Sequence, residues 1–158
     1  MKRYDSLNGK ILRDPLQDSI NILLIEEDPE EEAVIREALE AGKGKKSVYS
    51  AHQPMQAMKL LRYPPTTVEF NKPDIIMLSL DFPNKEGQWL LKDIKRDREL
   101  ASIPIIVLSR DRQEEEILSA YRNFASGFIY KSPNKIELQQ SVKSAFSYWT
   151  SVIVPLSS

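Results

Sequence analysis

Short apolar runs alternate along this chain with longer stretches that mix apolar and charged residues. Each short run has few charges and is bounded by turn-forming residues, a pattern typical of strands buried within a sheet. The longer stretches repeat their apolar residues at helical spacing. The strands are predicted at residues 22–25, 47–51, 75–79, 103–108 and 126–130, and the helices at residues 29–41, 55–61, 87–98, 112–122 and 134–149.

The first predicted helix has recognisable signals at both ends. Pro29 suits the first helical turn, the acidic run 30–32 favours the positive end of the helix dipole, and Gly42 ends the helix. Residues at helical spacing predict which face of this helix packs against the sheet. That face is predicted to hold Ala33, Val34, Glu37, Ala38 and Ala41, with Leu39 beside it.

Strands and helices in strict alternation predict one α/β domain, with a parallel sheet covered by helices on both faces. The expected architecture is flavodoxin-like: a doubly wound, three-layer, five-stranded sheet with strand order 2-1-3-4-5. Its functional crevice would lie at the carboxyl ends of the first and third strands. We assign residues 20–149 to this domain, residues 1–19 to an N-terminal extension and residues 150–158 to a C-terminal tail.

Composition removes several classes of function. The chain has 158 residues and a net charge of −1, so it lacks the basic character that binding to nucleic acid requires. It has no cysteine, which excludes disulfides, thiol catalysis and thiolate metal sites. No apolar run approaches a membrane span, and charges interrupt the N-terminus where a signal peptide would be apolar. We therefore expect a cytoplasmic protein without membrane or nucleic-acid partners.

Polar residues of particular types stand at the ends of four predicted strands. The acidic run Glu26-Glu27-Asp28 follows the first strand, Ser79 ends the third, Ser109 ends the fourth and Lys131 follows the fifth. The carboxyl ends of parallel strands meet at one edge of a sheet, so these side chains are expected to lie together.

In this order and at these strand ends, the four sites resemble the receiver domain of response regulators, over about residues 20–150. The resemblance implies that Glu26 and Glu27 are the acidic pair that helps to hold Mg²⁺, that Ser109 contacts a phosphoryl group, and that Lys131 pairs with acceptor and phosphoryl oxygens. It also places Phe128 at the position of a rotating aromatic switch. Three further stretches are similar to single-domain receivers that partner bacterial, particularly cyanobacterial, phytochrome kinases: Tyr63–Lys72, Leu80–Gly87 and Ser147–Pro155.

Two positions depart from the receiver pattern. At the place of the phosphoacceptor aspartate the chain has Ser79, a weak nucleophile without a base to activate it, and its phosphate ester would be too stable for a reversible switch. Serine also removes a carboxylate ligand, so any Mg²⁺ at Glu26 and Glu27 would be weakly held. After Lys131 the chain reads Ser132-Pro133, whereas the family has proline directly after the lysine.

Each of these residues also has a structural interpretation. Lys131 would pair with Glu26 or Glu27 and balance the charge of the pocket, and Ser109 would cap a turn with Arg110 and Asp111. Phe128 would be a core aromatic, and His52, the only histidine, a loop residue. Asp81, two residues past Ser79, is the alternative phosphoacceptor, although it is predicted in the loop beyond the strand.

These observations predict a pseudo-receiver in a two-component phosphorelay, not an enzyme and without a cofactor, that acts through protein contacts with a histidine kinase or another signalling protein. A flavin-binding alternative lacks a phosphate cradle, because the only glycine pair, Gly42 and Gly44, follows the first helix. The weakly charged end of the chain, from Trp149 onward, folds back on its own domain or covers a second subunit. The phytochrome-associated resemblance favours a homodimer through helix 4, strand 5, helix 5 and the tail.

Overall fold

The computed structural model describes residues 2–4, 11–13, 20–42, 44–65 and 72–153, with side chains for those from 20 to 151. A five-stranded parallel sheet forms its centre, in the order β4-β3-β5-β6-β7. Counted within this sheet, the order is 2-1-3-4-5, which confirms the predicted topology. The strands are β3 (Ile20–Ile25), β4 (Lys46–Ala51), β5 (Ile75–Ser79), β6 (Ile105–Ser109) and β7 (Gly127–Tyr130).

Among the elements that the structure describes, four helices and one short 3₁₀ turn connect these strands, and a fifth helix follows the last strand. They are α1 (Pro29–Glu40), α2 (Pro54–Arg62), the 3₁₀ turn Pro83–Lys85, α3 (Glu86–Arg96), α4 (Glu114–Arg122) and α5 (Lys135–Ile153). Within the described ranges, no helix combines the length and apolar character that a membrane span needs. The element types match the sequence prediction, and most bounds shift by one or two residues.

The sheet separates two apolar cores, because successive side chains of a strand point to opposite faces. Leu23 and Ile25 of β3 join the core beneath α2, α3 and α4, whereas Ile22 and Leu24 join the core beneath α1 and α5. The same alternation runs through β5 and β6. Both faces are therefore covered, and this fixes the carboxyl edge of the sheet in place.

The buried face of α1 differs from the prediction: Ile35 was not placed on it, and Glu37, which was, is exposed. Ile35, Ala38 and Leu39 are buried against the sheet, whereas Ala33, predicted on the inner face, is exposed. The predicted face was built on the small alanines at 33 and 41. The larger Ile35 decides the orientation of the helix, because burying it removes more apolar surface from water.

The structure adds detail at both ends of the domain. Two strands that the pattern did not reveal, β1 (Lys2–Tyr4) and β2 (Ile11–Arg13), pair antiparallel within the N-terminal extension. At the other end, α5 continues to Ile153, so the tail assigned from residue 150 begins inside the helix. Trp149 packs against the core beneath α1 and α5, as in the alternative that folds this end back on its own domain. The tail residues 154–158 lie outside the described residues.

The loop after β5 turns back tightly over the strand that it leaves. Asn84 and Lys85 both have positive φ, of 57° and 55°, and bring the start of α3 onto the backbone of β5. An ideal Cβ on Gly87 would lie 2.7 Å from the Ser79 carbonyl oxygen and 2.9 Å from the Leu80 Cα. Only glycine allows this approach, and it sets the position of the residues just after Ser79.

We expect Gly87→Ala to destabilise the protein by about 1–3 kcal/mol, because the new methyl group meets backbone atoms that cannot move aside. Gly127→Ala is the matched control, since its ideal Cβ would make only ordinary contacts of 3.5–3.7 Å with Trp149 and Ile106 side chains. Urea denaturation of both variants measures the difference. Equal losses of stability in the two variants would contradict the close approach at Gly87.

Candidate functional site

The structure brings the polar residues at the strand ends to one edge of the sheet. In the parallel register Ser79 lies opposite Leu108, and the Leu80 N–H donates to the Leu108 carbonyl oxygen at 2.8 Å. The Lys131 N–H donates to the Ser109 carbonyl oxygen, also at 2.8 Å. These ladder bonds place the ends of β5 and β6 and the residue that follows β7 side by side.

Lys131 is the centre of the site. Its side chain is 0% exposed, and its Nζ donates to Ser79 Oγ at 2.7 Å. The same Nζ lies 2.6 Å from Glu26 Oε1, 3.1 Å from Asp81 Oδ2 and 3.5 Å from Glu31 Oε1. A buried ammonium is stable only where such partners offset its lost hydration.

The two predicted acidic residues have different positions. Glu26 is buried: its Oε1 makes the ionic contact with Lys131 but lacks hydrogen-bond geometry, and its Oε2 accepts from the Asp28 N–H at 3.1 Å. Glu27 is exposed and is not among the ionic partners of Lys131 in the described part of the chain. Only Glu26 of this pair therefore joins the buried cluster.

Asp81 reaches into the cluster, although the sequence placed it in the loop beyond the strand. Besides its contact with Lys131, it accepts from the Arg110 backbone N–H, at 3.2 Å on Oδ1 and 3.1 Å on Oδ2. The Asp81 N–H in turn donates to Ser79 Oγ at 3.2 Å. Extended backbone directs residues two apart to the same side, so the spacing of Ser79 and Asp81 was the signal for this arrangement.

Glu31 and Arg110 also belong to the site, and the sequence did not indicate them. Asp28 caps α1, accepting on Oδ1 from the backbone N–H of Glu30 at 2.8 Å, and this orients the first turn. Glu31 lies in that turn and pairs with the Arg110 guanidinium. Burial raises the pKa of Glu31, against the opposing charge of Lys131. The signal that could have indicated Glu31 was its spacing of three residues from Asp28, which places the two on the same side of the first helical turn.

The side chains of the remaining candidates lie outside the contacts that the Lys131 ammonium makes. Ser109 Oγ accepts from the Asp111 N–H at 3.0 Å. This contact caps the turn after β6, as in the structural alternative for Ser109. Phe128 is half-buried and packs against the core beneath α2, α3 and α4. His52 lies on the loop after β4, with its Nε2 2.9 Å from Glu32 Oε1. Each residue thus has a local structural partner.

A family model described as the response regulator receiver domain matches residues 22–143 of this chain. The chain belongs to the response regulator receiver family. Receiver domains are signalling modules of two-component systems that interact with histidine kinases and other signalling proteins. As a class they are generally not enzymes.

Solved and curated relatives place this receiver near phytochrome response regulators. Response regulator Rcp1 of Synechocystis sp. is 25% identical over 132 residues, which cover 84% of this chain and 90% of Rcp1. The phosphorylated cyanobacterial phytochrome response regulator RcpA has a TM-score of 0.78 at 32% identity, covering 85% of this chain and 96% of RcpA. The Mn²⁺-bound form of Rcp1 has a TM-score of 0.74 at 25% identity, covering 82% and 94% respectively.

The side chains of this receiver do not fit the Mg²⁺ site that the resemblance implied at Glu26 and Glu27. Both oxygens of Glu26 are engaged, by Lys131 and by the Asp28 N–H, while Glu27 points to the surface. Ser79 supplies no carboxylate. Across the described ranges, no group of three or more carboxylate or imidazole side chains is arranged around a common metal position. Mg²⁺ needs near-octahedral oxygen ligands, which these contacts do not leave open.

Removal of the Lys131 charge tests the cluster. We expect Lys131→Met to lower the free energy of unfolding by about 3–5 kcal/mol, because Glu26 and Asp81 would be left without their cation. The double variant Lys131→Met with Glu26→Gln should recover part of the loss, since the two side chains interact directly. Urea denaturation at neutral pH measures both. Additive losses in the double variant would contradict the pairing.

Proposed function

We propose that this protein is a pseudo-receiver, a response regulator receiver that takes up no phosphoryl group at residue 79 and acts through protein contacts. Its partner would be a histidine kinase or another signalling protein of a two-component network. The observation that carries the proposal is the buried cluster at Lys131, which is complete without phosphate. The lysine already has two carboxylates and one hydroxyl within hydrogen-bonding distance.

The chemistry of Ser79 supports this proposal. Its Oγ accepts two hydrogen bonds, from Lys131 Nζ and from the Asp81 N–H. A serine becomes a nucleophile only when a base removes its proton, but Lys131 donates to it. Among the described hydrogen bonds, none runs from Ser79 Oγ to a carboxylate or to the imidazole of His52. The hydroxyl therefore acts as a structural acceptor.

A phosphorylatable receiver that uses Asp81 is the second candidate. The 3.1 Å contact between Lys131 Nζ and Asp81 Oδ2 favours it, because the acceptor of a receiver is expected beside this lysine. The two hydrogen bonds from the Arg110 N–H disfavour it, since they hold both carboxylate oxygens in place. A nucleophilic oxygen must instead be able to approach the phosphorus atom.

We also propose a homodimer through α4, β7 and α5. Large apolar side chains are exposed on the two helices and on the turn after α4, and such groups commonly mark protein contacts. They are Leu118, Tyr121, Phe124, Ile136 and Tyr148. Phe124 is 73% exposed and has a φ of 68°, an uncommon conformation for a bulky residue. Trp149, in contrast, is partly buried against its own core, so the helices and not this residue support the proposal.

Phosphoryl uptake tests the first proposal. We expect the wild-type protein to gain no mass when incubated with a small phosphodonor and Mg²⁺, because Ser79 has no base and Lys131 already contacts Ser79, Glu26 and Asp81. Intact-mass spectrometry measures the gain, and RcpA, which has been crystallised in its phosphorylated form, is the positive control for the donor. Ser79→Asp should also remain unmodified, since Glu26 and Asp81 already occupy the lysine.

A phosphoryl group on the wild-type protein would contradict the pseudo-receiver. If that group disappeared in Asp81→Asn, the second candidate would replace it. Uptake by Ser79→Asp but not by the wild type would mean that Ser79 alone prevents phosphorylation. The contacts of Glu26 and Asp81 with Lys131 would then not prevent it.

The homodimer is tested at Tyr121, at the middle of the exposed face. We expect Tyr121→Glu to raise the dimer dissociation constant at least about tenfold, because a buried charge replaces an aromatic contact. Met55→Glu is the control. Met55 is 79% exposed on α2, which follows β4, and β4 is the edge strand at the opposite end of the sheet from β7. Sedimentation equilibrium measures both variants. A monomeric wild type, or equal weakening by the two changes, would contradict the interface.

A further inference from the structure

Arg110 joins three elements at the mouth of the pocket. It directly follows β6, and its backbone N–H donates to both oxygens of Asp81. Its guanidinium pairs with Glu31 Oε1 and lies 3.6 Å from Asp28 Oδ2. One residue thus ties the loop after β6 to the loop after β5 and to the first turn of α1.

Protein groups engage the four carboxylates of this cluster, those of Glu26, Asp28, Glu31 and Asp81. The contacts of Glu26 and Asp81 with Lys131 use the two acids at its floor. At its mouth, Asp28 Oδ1 accepts from backbone N–H groups of the first helical turn, and Asp28 Oδ2 faces the Arg110 guanidinium. Four acids therefore surround two protein cations, one buried and one at the mouth.

The fold itself does not exclude a divalent cation, because Rcp1, with the same fold, has been crystallised in an Mn²⁺-bound form. The difference must therefore lie in the side chains of this chain. Arginine is charged at any pH that the folded protein meets, and its planar guanidinium matches carboxylates well. It does not dissociate as a metal ion does, since it is attached to the chain.

We infer that Arg110 is the resident cation of this pocket: its guanidinium on Asp28 and Glu31 takes the place of a divalent metal ion and keeps such an ion out. The same contacts hold the loop after β6 against α1. Metal concentration then has no effect on the pocket.

Metal titration of an Arg110 variant tests this inference. We expect Arg110→Gln to bind one Mn²⁺ per chain at least about tenfold more tightly than the wild type, because the repulsive charge is gone and Asp28 Oδ2 and Glu31 Oε1 lose their contact with the guanidinium. The electron paramagnetic resonance signal of free Mn²⁺ measures the binding. Arg112→Gln is the matched control: it removes the same charge from the same loop, but its guanidinium stacks on the Tyr130 ring, 4.4 Å from the centroid.

Folding of the variant is expected to survive, since Arg110 is half exposed and exposed ion pairs add little stability. Arg110→Lys is the second variant and should exclude Mn²⁺ better than Arg110→Gln, because it keeps the charge. Saturable Mn²⁺ binding to the wild type as tight as that of Arg110→Gln would overturn the inference. Equal gains in Arg110→Gln and Arg112→Gln would also overturn it.

Mn²⁺ binding and phosphoryl uptake can be measured separately, so the role of Arg110 and the proposed function can fail independently. A wild type that excludes Mn²⁺ but gains a phosphoryl group would refute the pseudo-receiver and leave the role of Arg110 in place. A wild type that binds Mn²⁺ but gains no phosphoryl group would refute the role of Arg110 and leave the pseudo-receiver in place.

Discussion

A buried ammonium group organises this receiver. Transfer of the Lys131 charge out of water costs several kcal/mol, and this cost is offset only if oxygen atoms surround the nitrogen at short range. The oxygens come from the residue after β3, the end of β5 and the loop after β5. The loops of the site are therefore held together in part by the need to neutralise one side chain.

The sheet makes this arrangement possible because both of its faces are covered. Side chains of β3, β5 and β6 alternate between two apolar cores, and the strands cannot shift along one another without exposing one of them. Parallel pairing brings all carboxyl ends to one edge, and the approach of Gly87 to the Ser79 carbonyl oxygen sets the direction of the chain there. The precision of the pocket thus comes from packing some distance beneath it.

Features with a strong local signal could be predicted from the sequence. Buried strands, the proline at the start of α1 and the strand-end positions of Glu26, Ser79 and Lys131 gave the topology and the place of the site. Three features had no such signal: the strands β1 and β2 are short, the burial of α1 depends on what Ile35 meets across the sheet, and α5 continues because Trp149 finds a partner in the core. Asp81 was considered only as an alternative phosphoacceptor, and Glu31 and Arg110 were missed as site residues, because their pairing joins α1 to the loop after β6, far apart in sequence.

The position of Asp81 has a consequence for the history of this protein. With aspartate at position 79, the pocket would hold a further carboxylate beside an ammonium that Glu26 and Asp81 already neutralise. A substitution from serine to aspartate would then be unfavourable until a second site also changed, since neighbouring charges are not additive in their effects. If the protein is the pseudo-receiver that we propose, regaining a phosphorylation site would require a change at a second position as well as Ser79→Asp.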